Sequence, residues 1–335
     1  MRNSLYLTAL GIVMISCGTQ QKTAKNKNIA IPNAPKPILT DKKPQIKEDE
    51  GEYYKVNIAD ISKNDNTISF GSIVSANPAG YKISKSYFPA VGQNFRQRYV
   101  ILHYTVLNDE KSISTLTQQS VSAHYLVNSL PDKEIYQIVD ENKRAYHAGI
   151  SNWRKDQNLN DTSIGIEIVN LGYTMDSLNN RVFYPYPEEQ FRKVAALVKD
   201  IVTRYNIPPT NILAHSDIAP TRKQDPGPLF PWKRLYDEYQ VGMWYDETAK
   251  QTFLNQILTT NDIALQYNNP EFVSKIQQQL VQFGYTLSVN GVWDKTTKQT
   301  IEAFQFHFRP SNYNGILDAE TWAILQALIQ KYPQK

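Results

Sequence analysis

Runs of apolar residues, broken by short polar stretches, mark the elements of this chain. Residues 98–104 (RYVILHY) form a continuous apolar run with a polar residue near its end, the pattern of a buried strand. SVSAHYLV (120–127) and EIYQIV (134–139) read as two paired strands joined through Ser129-Leu130-Pro131-Asp132. SIGIEIVNL (163–171) alternates, with Ile164, Ile166 and Ile168 on one face and Gly165, Glu167 and Val169 on the other. PEEQFRKVAALVKDIVTRY (187–205) starts with proline and two glutamates, then places Phe191, Val194, Leu197, Val198, Ile201 and Val202 on one stripe, which predicts an amphipathic helix. NILAH (211–215) reads as a further short strand. Strands alternating with helices predict an α/β domain with a central mixed sheet flanked by helices.

Beyond residue 245 the period becomes helical throughout. QTFLNQIL belongs to a helical connector, 246–269, ahead of a small, separate all-α unit of three helices over 270–333. Its helices begin at PEFVSKIQQQLVQFGY, TTKQTIEAFQFHF and DAETWAILQALIQKY. Asn290-Gly291 and Asn314-Gly315 mark the turns between them. A short internal repeat runs Gly, Asp, Thr, at Gly291/Asp294/Thr296 and again at Gly315/Asp318/Thr321.

The N-terminus has a different character. Arg2 precedes an apolar run from Leu5 to Ile15, about half the roughly 20 residues that a membrane-spanning helix needs. It reads as a signal-peptide core over residues 1–16. The Ser16-Cys17 pair that follows resembles the lipobox of bacterial lipoproteins, which implies lipidation at Cys17. Cys17 is the only cysteine, so no intramolecular disulfide exists and no thiolate is free to bind a metal elsewhere. Residues 17–52, rich in Lys, Pro, Asn and Gln, read as a solvated tether ahead of a catalytic domain at 53–245. A net charge of +4 over 335 residues makes no case for a nucleic-acid partner. The 21 tyrosines suit an exported protein or a carbohydrate-facing surface without establishing either.

Of the five histidines, His103 and His215 lie at or near the ends of expected strands, and Asp225 follows on the loop after His215. Catalytic zinc takes three protein ligands and keeps a fourth position open. His103, His215 and Asp225 would supply that set, although two histidines and an aspartate so far apart also occur by chance. Asp225 before Pro226-Gly227 would equally suit a turn, and a lone carboxylate such as Glu167 on a strand face is more often solvated.

Four stretches in order decide between these readings: VILHYT (100–105), YHAGISNW (146–153), SIGIEIVN (163–170) and AHSDIAPTRKQDPGPLFPW (214–232). Over about residues 85–245 they resemble the zinc-dependent N-acetylmuramoyl-L-alanine amidases of the type-2 amidase superfamily, which also includes peptidoglycan recognition proteins. The resemblance implies one zinc ion on His103, His215 and Asp225, Glu167 as the catalytic carboxylate, and Lys223 as a cation facing the reacting carbonyl. It places His147 beside the substrate groove, where it contacts substrate or serves as a structural hydrogen-bonding histidine. Trp153 either lines the groove or belongs to the core. His124 reads as structural, and His307 as packed or surface-exposed.

Residues 271–331 resemble the type-1 peptidoglycan-binding domain, a three-helix module that binds wall material or only packs against a catalytic partner. The resulting expectation is a monomeric zinc amidase that cleaves between the lactyl group of N-acetylmuramic acid, ordinary or 1,6-anhydro, and L-alanine. Its partners would be peptidoglycan or muropeptides and, through the lipid anchor, a membrane; its place would be the bacterial envelope, at the outer membrane facing the periplasm. A non-catalytic peptidoglycan-recognition protein and cleavage of another amide within the stem peptide are the alternatives.

Overall fold

The structure is a computed structural model that describes residues 78–81 and 94–334. The expected signal segment, Cys17, the tether and residues 53–77 and 82–93 of the expected catalytic domain lie outside the described residues.

A five-stranded sheet organises the first half. Its strands are β1 (Tyr99–Tyr104), β2 (Tyr125–Val127), β3 (Tyr136–Gln137), β6 (Ser163–Ile168) and β9 (Ile212–Ala214), in the order β3-β2-β6-β1-β9. Two small ribbons stand apart: β4 (Asn152–Trp153) with β5 (Asp156–Gln157), and β7 (Tyr173–Met175) with β8 (Arg181–Phe183). Only β3 runs antiparallel in the main sheet; β2, β6, β1 and β9 are mutually parallel. Their interior is apolar because both faces are covered. Val100, Ile101, Leu102, Ile164, Ile166 and Ile168 are fully buried.

The expected mixed sheet with flanking helices is the observed one. β2 and β3 are shorter than the alternation suggested, because residues ahead of His124 leave the sheet. The Ser122 amide donates to Tyr146 O and the His124 amide to Gly165 O. Helix α1 (Asp109–Gln118) was not anticipated from the apolar pattern, since only Ser112 and Leu116 on it are buried. Its start is set by Asn108, whose side chain accepts from the Lys111 amide. Helix α2 (Glu188–Tyr205) has the expected stripe, with Phe191, Val194, Val198 and Ile201 in the core, and a four-residue helix α3 (His215–Ile218) follows β9 directly.

The remaining helices are α4 (Trp232–Tyr239), α5 (Glu247–Thr260), α6 (Asp262–Gln266), α7 (Pro270–Phe283), α8 (Lys295–Phe308) and α9 (Ala319–Lys331). Helices α7–α9 share one continuous hydrophobic core with the sheet, running from Ile101 and Ile164 through Trp153 and Trp232 to Phe304 and Trp322. The connector helix α5 joins that core through Ile257. Arg181 on β8 pairs with Glu302 on α8, and Phe183 meets Phe306 at 5.5 Å.

The internal repeat is real, with one correction of register. Asp294 caps α8 by accepting from the amide of Thr297, not Thr296, as Asp318 caps α9 by accepting from Thr321. Each turn glycine sits at φ +71, where a Cβ would crowd a backbone carbonyl at 2.9 Å (Gly291) or 2.8 Å (Gly315). A buried glutamine on the preceding helix closes each unit. Gln277 Nε2 lies within 3.0 Å of three acceptors for its two hydrogens, Asn290 Oδ1, Val292 O and Thr297 Oγ1, while its Oε1 accepts from the Asn290 and Gly291 amides. Gln305 repeats the arrangement with Ile316 O, Thr321 Oγ1 and the Gly315 amide. Leucine at 277 would fill similar volume but strand the buried Thr297 hydroxyl and Gly291 amide. Gln277→Leu is therefore expected to cost about 1–3 kcal/mol in denaturant unfolding, more than the ~1 kcal/mol expected from uncapping α8 with Asp294→Ala.

Candidate metal centre

Parallel pairing brings the chemistry to one end of the sheet. In register, His103 of β1 lies opposite Glu167 of β6, and Leu102 lies opposite Ala214 of β9, immediately before His215. The carboxyl ends of such strands are where open α/β sheets present ligand sites. Asp225 joins from the loop after α3, whose shape is set by its own backbone: the Ser216 amide donates to Asp225 O at 3.0 Å. The Asp225–Pro226 peptide is cis, and Pro226 O accepts from the Tyr186 hydroxyl at 2.7 Å.

Three atoms meet at this point. His103 Nδ1 and His215 Nδ1 are 2.8 Å apart, and each lies 2.9 Å from Asp225 Oδ2. All three residues are buried, at 1%, 2% and 6% exposure. Two imidazole nitrogens and a carboxylate oxygen so close bring three lone pairs together out of water. A cation with open coordination sites satisfies all three at once, so the donor set fits a zinc ion.

The outward nitrogens of both rings are also occupied, which fixes their tautomers for binding through Nδ1. His215 Nε2 donates to Ala148 O at 3.1 Å. His103 Nε2 donates to His147 Nδ1 at 2.9 Å, His147 Nε2 donates to Ser163 Oγ at 3.1 Å, and the Ser163 hydroxyl donates to Leu159 O. His147 thus stands behind His103 as a relay of orientation, with both nitrogens engaged, although its edge also reaches the cleft. Gly165 makes room for it: a Cβ there would lie 2.4 Å from the His147 ring. Asn160 Oδ1 holds the same loop by accepting from the His147 and Ala148 amides.

Ser163, Gly165 and Glu167 occupy one face of β6, the face away from the three isoleucines. A cleft of about 180 Å³ opens there, with Glu167, Lys223, His215, Asp225 and Tyr146 in its lining. Glu167 is half-buried, and its Oε2 is buried with no hydrogen-bond partner among the described residues. Burial, reinforced by the Asp225 charge and opposed by Lys223, pushes its carboxyl up to about 8. Burial and the neighbouring His215 hold His103 down at about 4. Burial and then His103 push His147 well below the usual imidazole range. Burial alone would raise Asp225, but attraction and hydrogen bonds from His215 and His103 prevail and hold its carboxyl below the usual range.

Sequence reasoning assembled His103, His215, Asp225, Glu167 and Lys223, and the structure places all five around this cleft. It missed Ser163, Asn160 and Gly165, of which Ser163 and Gly165 carried a signal in their alternation with the isoleucines. Trp153 must be corrected: its ring has no exposure and cannot line a groove. Its indole N–H donates to Thr210 O, and its ring meets Phe283 at 5.7 Å and Tyr285 at 5.3 Å, edge-on. His124 is structural, accepting from the Gly165 amide and donating to Lys143 O. His307 is completely buried.

Comparison with known proteins follows the same division. Residues 93–228 match the N-acetylmuramoyl-L-alanine amidase family and residues 269–325 a putative peptidoglycan binding domain. The chain is 40% identical over 244 residues to the N-acetylmuramoyl-L-alanine amidase AmiD of Escherichia coli K12, an alignment covering 71% of this chain and 84% of that one. It is 41% identical over 105 residues to the 1,6-anhydro-N-acetylmuramyl-L-alanine amidase AmpD of Enterobacter cloacae, covering 31% of this chain and 51% of that protein. Among solved structures, E. coli AmiD in complex with the substrate anhydro-N-acetylmuramic acid-L-Ala-D-gamma-Glu-L-Lys superposes with a TM-score of 0.68 at 38% identity, covering 77% of this chain and 98% of that one. AmpDh3 of Pseudomonas aeruginosa gives 0.66 at 37% identity, covering 78% and 100%.

Two outcomes follow from the geometry. Gly165→Ala should displace His147 from behind His103 and weaken zinc binding by roughly 10–100-fold, read by competition with a chromophoric chelator; unchanged affinity would mean that His147 orients nothing. The second concerns Glu167 in the metal-free protein. Its folded pKa lies above its unfolded one, so the native state binds the extra proton and loses stability as pH rises between about 5 and 8. Glu167→Gln removes that loss, so its melting temperature relative to the parent should climb across that window and level off above it.

Proposed function

The chain belongs to the N-acetylmuramoyl-L-alanine amidase family, and on that footing we propose that it hydrolyses the lactyl–L-alanine amide of muropeptides, the 1,6-anhydro form included, with one zinc ion held by His103, His215 and Asp225. The observation that carries this reading is the convergence of those three donors beside a Glu167 oxygen that has no hydrogen-bond partner among the described residues.

When bound, zinc supplies Lewis acidity that activates water and polarises the scissile carbonyl. The chain's own groups do the rest. Glu167, which lines the cleft beside the three donors, takes a proton as carboxylate from the attacking water and delivers it to the departing amide nitrogen, which must be protonated to leave. Lys223 lines the same cleft and offers its ammonium to the negative charge that grows on the carbonyl oxygen. His147 and Ala148 O hold the two histidine rings, so that no reorientation is needed during turnover.

The wider reading is an enzyme of peptidoglycan turnover or recycling in the bacterial envelope. Domains run as a signal segment at 1–16, a lipidated tether at 17–52, the catalytic domain at 53–245, a helical connector at 246–269 and the peptidoglycan-binding helices at 270–333. Support for the anchor is the Ser16-Cys17 pair and the polar tether behind it. A monomer acting at the outer membrane, facing the periplasm, is the arrangement this implies. The AmiD complex with an anhydro-muropeptide supports the anhydro sugar as a substrate form.

Kinetics on an anhydro-muropeptide test the residue roles. Glu167→Gln should lower kcat by about 100–10,000-fold and Lys223→Ala by about 100–1,000-fold, with zinc content near one per chain in both. A Glu167→Gln variant within tenfold of the parent would remove Glu167 from the chemistry.

A further inference from the structure

The segment carrying His215 and Asp225 is fastened at a second point, away from the zinc donors. Asp217 has no side-chain exposure. Its Oδ2 accepts from the Ala214 amide at 2.8 Å and from His307 Nδ1 at 2.7 Å, and its Oδ1 accepts from the Tyr285 hydroxyl at 2.8 Å. Two of the three donors come from the C-terminal helical region. Both are themselves held in place. His307 stacks at 3.9 Å on Trp232 and at 3.9 Å on Phe308, with its Nε2 buried and unpaired among the described residues. Tyr285 stands edge-on to Trp153 and is buried. None of the three faces the cleft.

Helix α3 is four residues long and cannot hold its shape by its own hydrogen bonds. It opens with His215, and the Ser216 amide ties it to Asp225, so any shift of α3 moves two zinc donors together. Removing a donor from a buried carboxylate leaves that group under-satisfied, and the helix carrying it must adjust.

We propose that Asp217, Tyr285 and His307 are positioning residues for the metal centre, and that the C-terminal helices hold the His215–Asp225 segment in its metal-binding shape. Metal affinity is then a property of both halves of the chain, and the helical region has a task separate from holding the cell wall. This inference rests on the zinc reading above.

The test uses the full chain with Tyr285→Phe, His307→Phe and, as a control, Ile324→Val in the buried face of α9. Zinc dissociation constants come from chelator competition, ligand geometry from the visible spectrum of the cobalt(II)-loaded protein, and overall stability from thermal melts. Tyr285→Phe and His307→Phe should each weaken zinc binding by about tenfold and alter the cobalt spectrum. Ile324→Val should lower the melting temperature while leaving both metal readouts unchanged. A folded Tyr285→Phe protein with parental affinity and spectrum overturns the proposal, as does a control that weakens zinc binding as much as the other two. Should His307→Phe not fold, Tyr285→Phe decides alone, since it removes only a hydroxyl. A parent chain that binds no zinc overturns the zinc reading and this inference together, which distinguishes that failure from a tightly binding parent with unaffected variants.

Discussion

The parallel ladders β6–β1–β9 set the site. Their hydrogen bonds hold His103 opposite Glu167 and Leu102 beside Ala214, so that one candidate metal donor, the carboxylate proposed for acid–base work and the start of the second donor segment leave adjacent strands in one row. The register cannot drift. A one-residue slip would turn the isoleucines of β6 toward the cleft and bury Glu167 among hydrocarbon. The six large side chains buried along β1 and β6, at roughly 1.5–3 kcal/mol each or about 9–18 kcal/mol together, therefore serve to place a few polar atoms.

Those polar atoms are costly to bury, and the structure meets the cost with directed partners. Each histidine of the donor set turns its second nitrogen to an acceptor, His215 to a backbone carbonyl and His103 to the His147–Ser163 relay. The inward side is different. Three donor atoms converge on one point, and Glu167 Oε2 has no hydrogen-bond partner among the described residues, an arrangement that fits a cation and a substrate on that side. A half-buried carboxylate lining the cleft beside a cation site suits the general acid–base role proposed for Glu167.

The fold was legible in the sequence wherever one face of an element was buried uniformly, as in β1, β6 and α2. Helix α1 escaped because it buries only two residues, and the start of β2 because Ser122 pairs with the loop at Tyr146. His103, His215 and Asp225 could be grouped through the motifs around them. The contacts of His147 and Trp153 could not, because each depends on a segment distant in sequence. Trp153 shows why: an aromatic in a groove-side motif reads as a surface, yet Gly284, 131 residues later, leaves the space its ring occupies. The core that the C-terminal helices share with the sheet was hidden for the same reason, since periodicity reports that a face is apolar without saying what covers it.

The most direct test of the account is product analysis on a purified anhydro-muropeptide. Protein stripped of metal by a chelator is incubated with substrate before and after addition of one equivalent of zinc, and the products are identified by mass spectrometry. The account predicts no cleavage by the stripped protein and, on zinc addition, release of the intact stem peptide with a free L-alanine N-terminus alongside the anhydro sugar. Undiminished release by fully stripped protein, or cleavage at another amide within the stem, would contradict it.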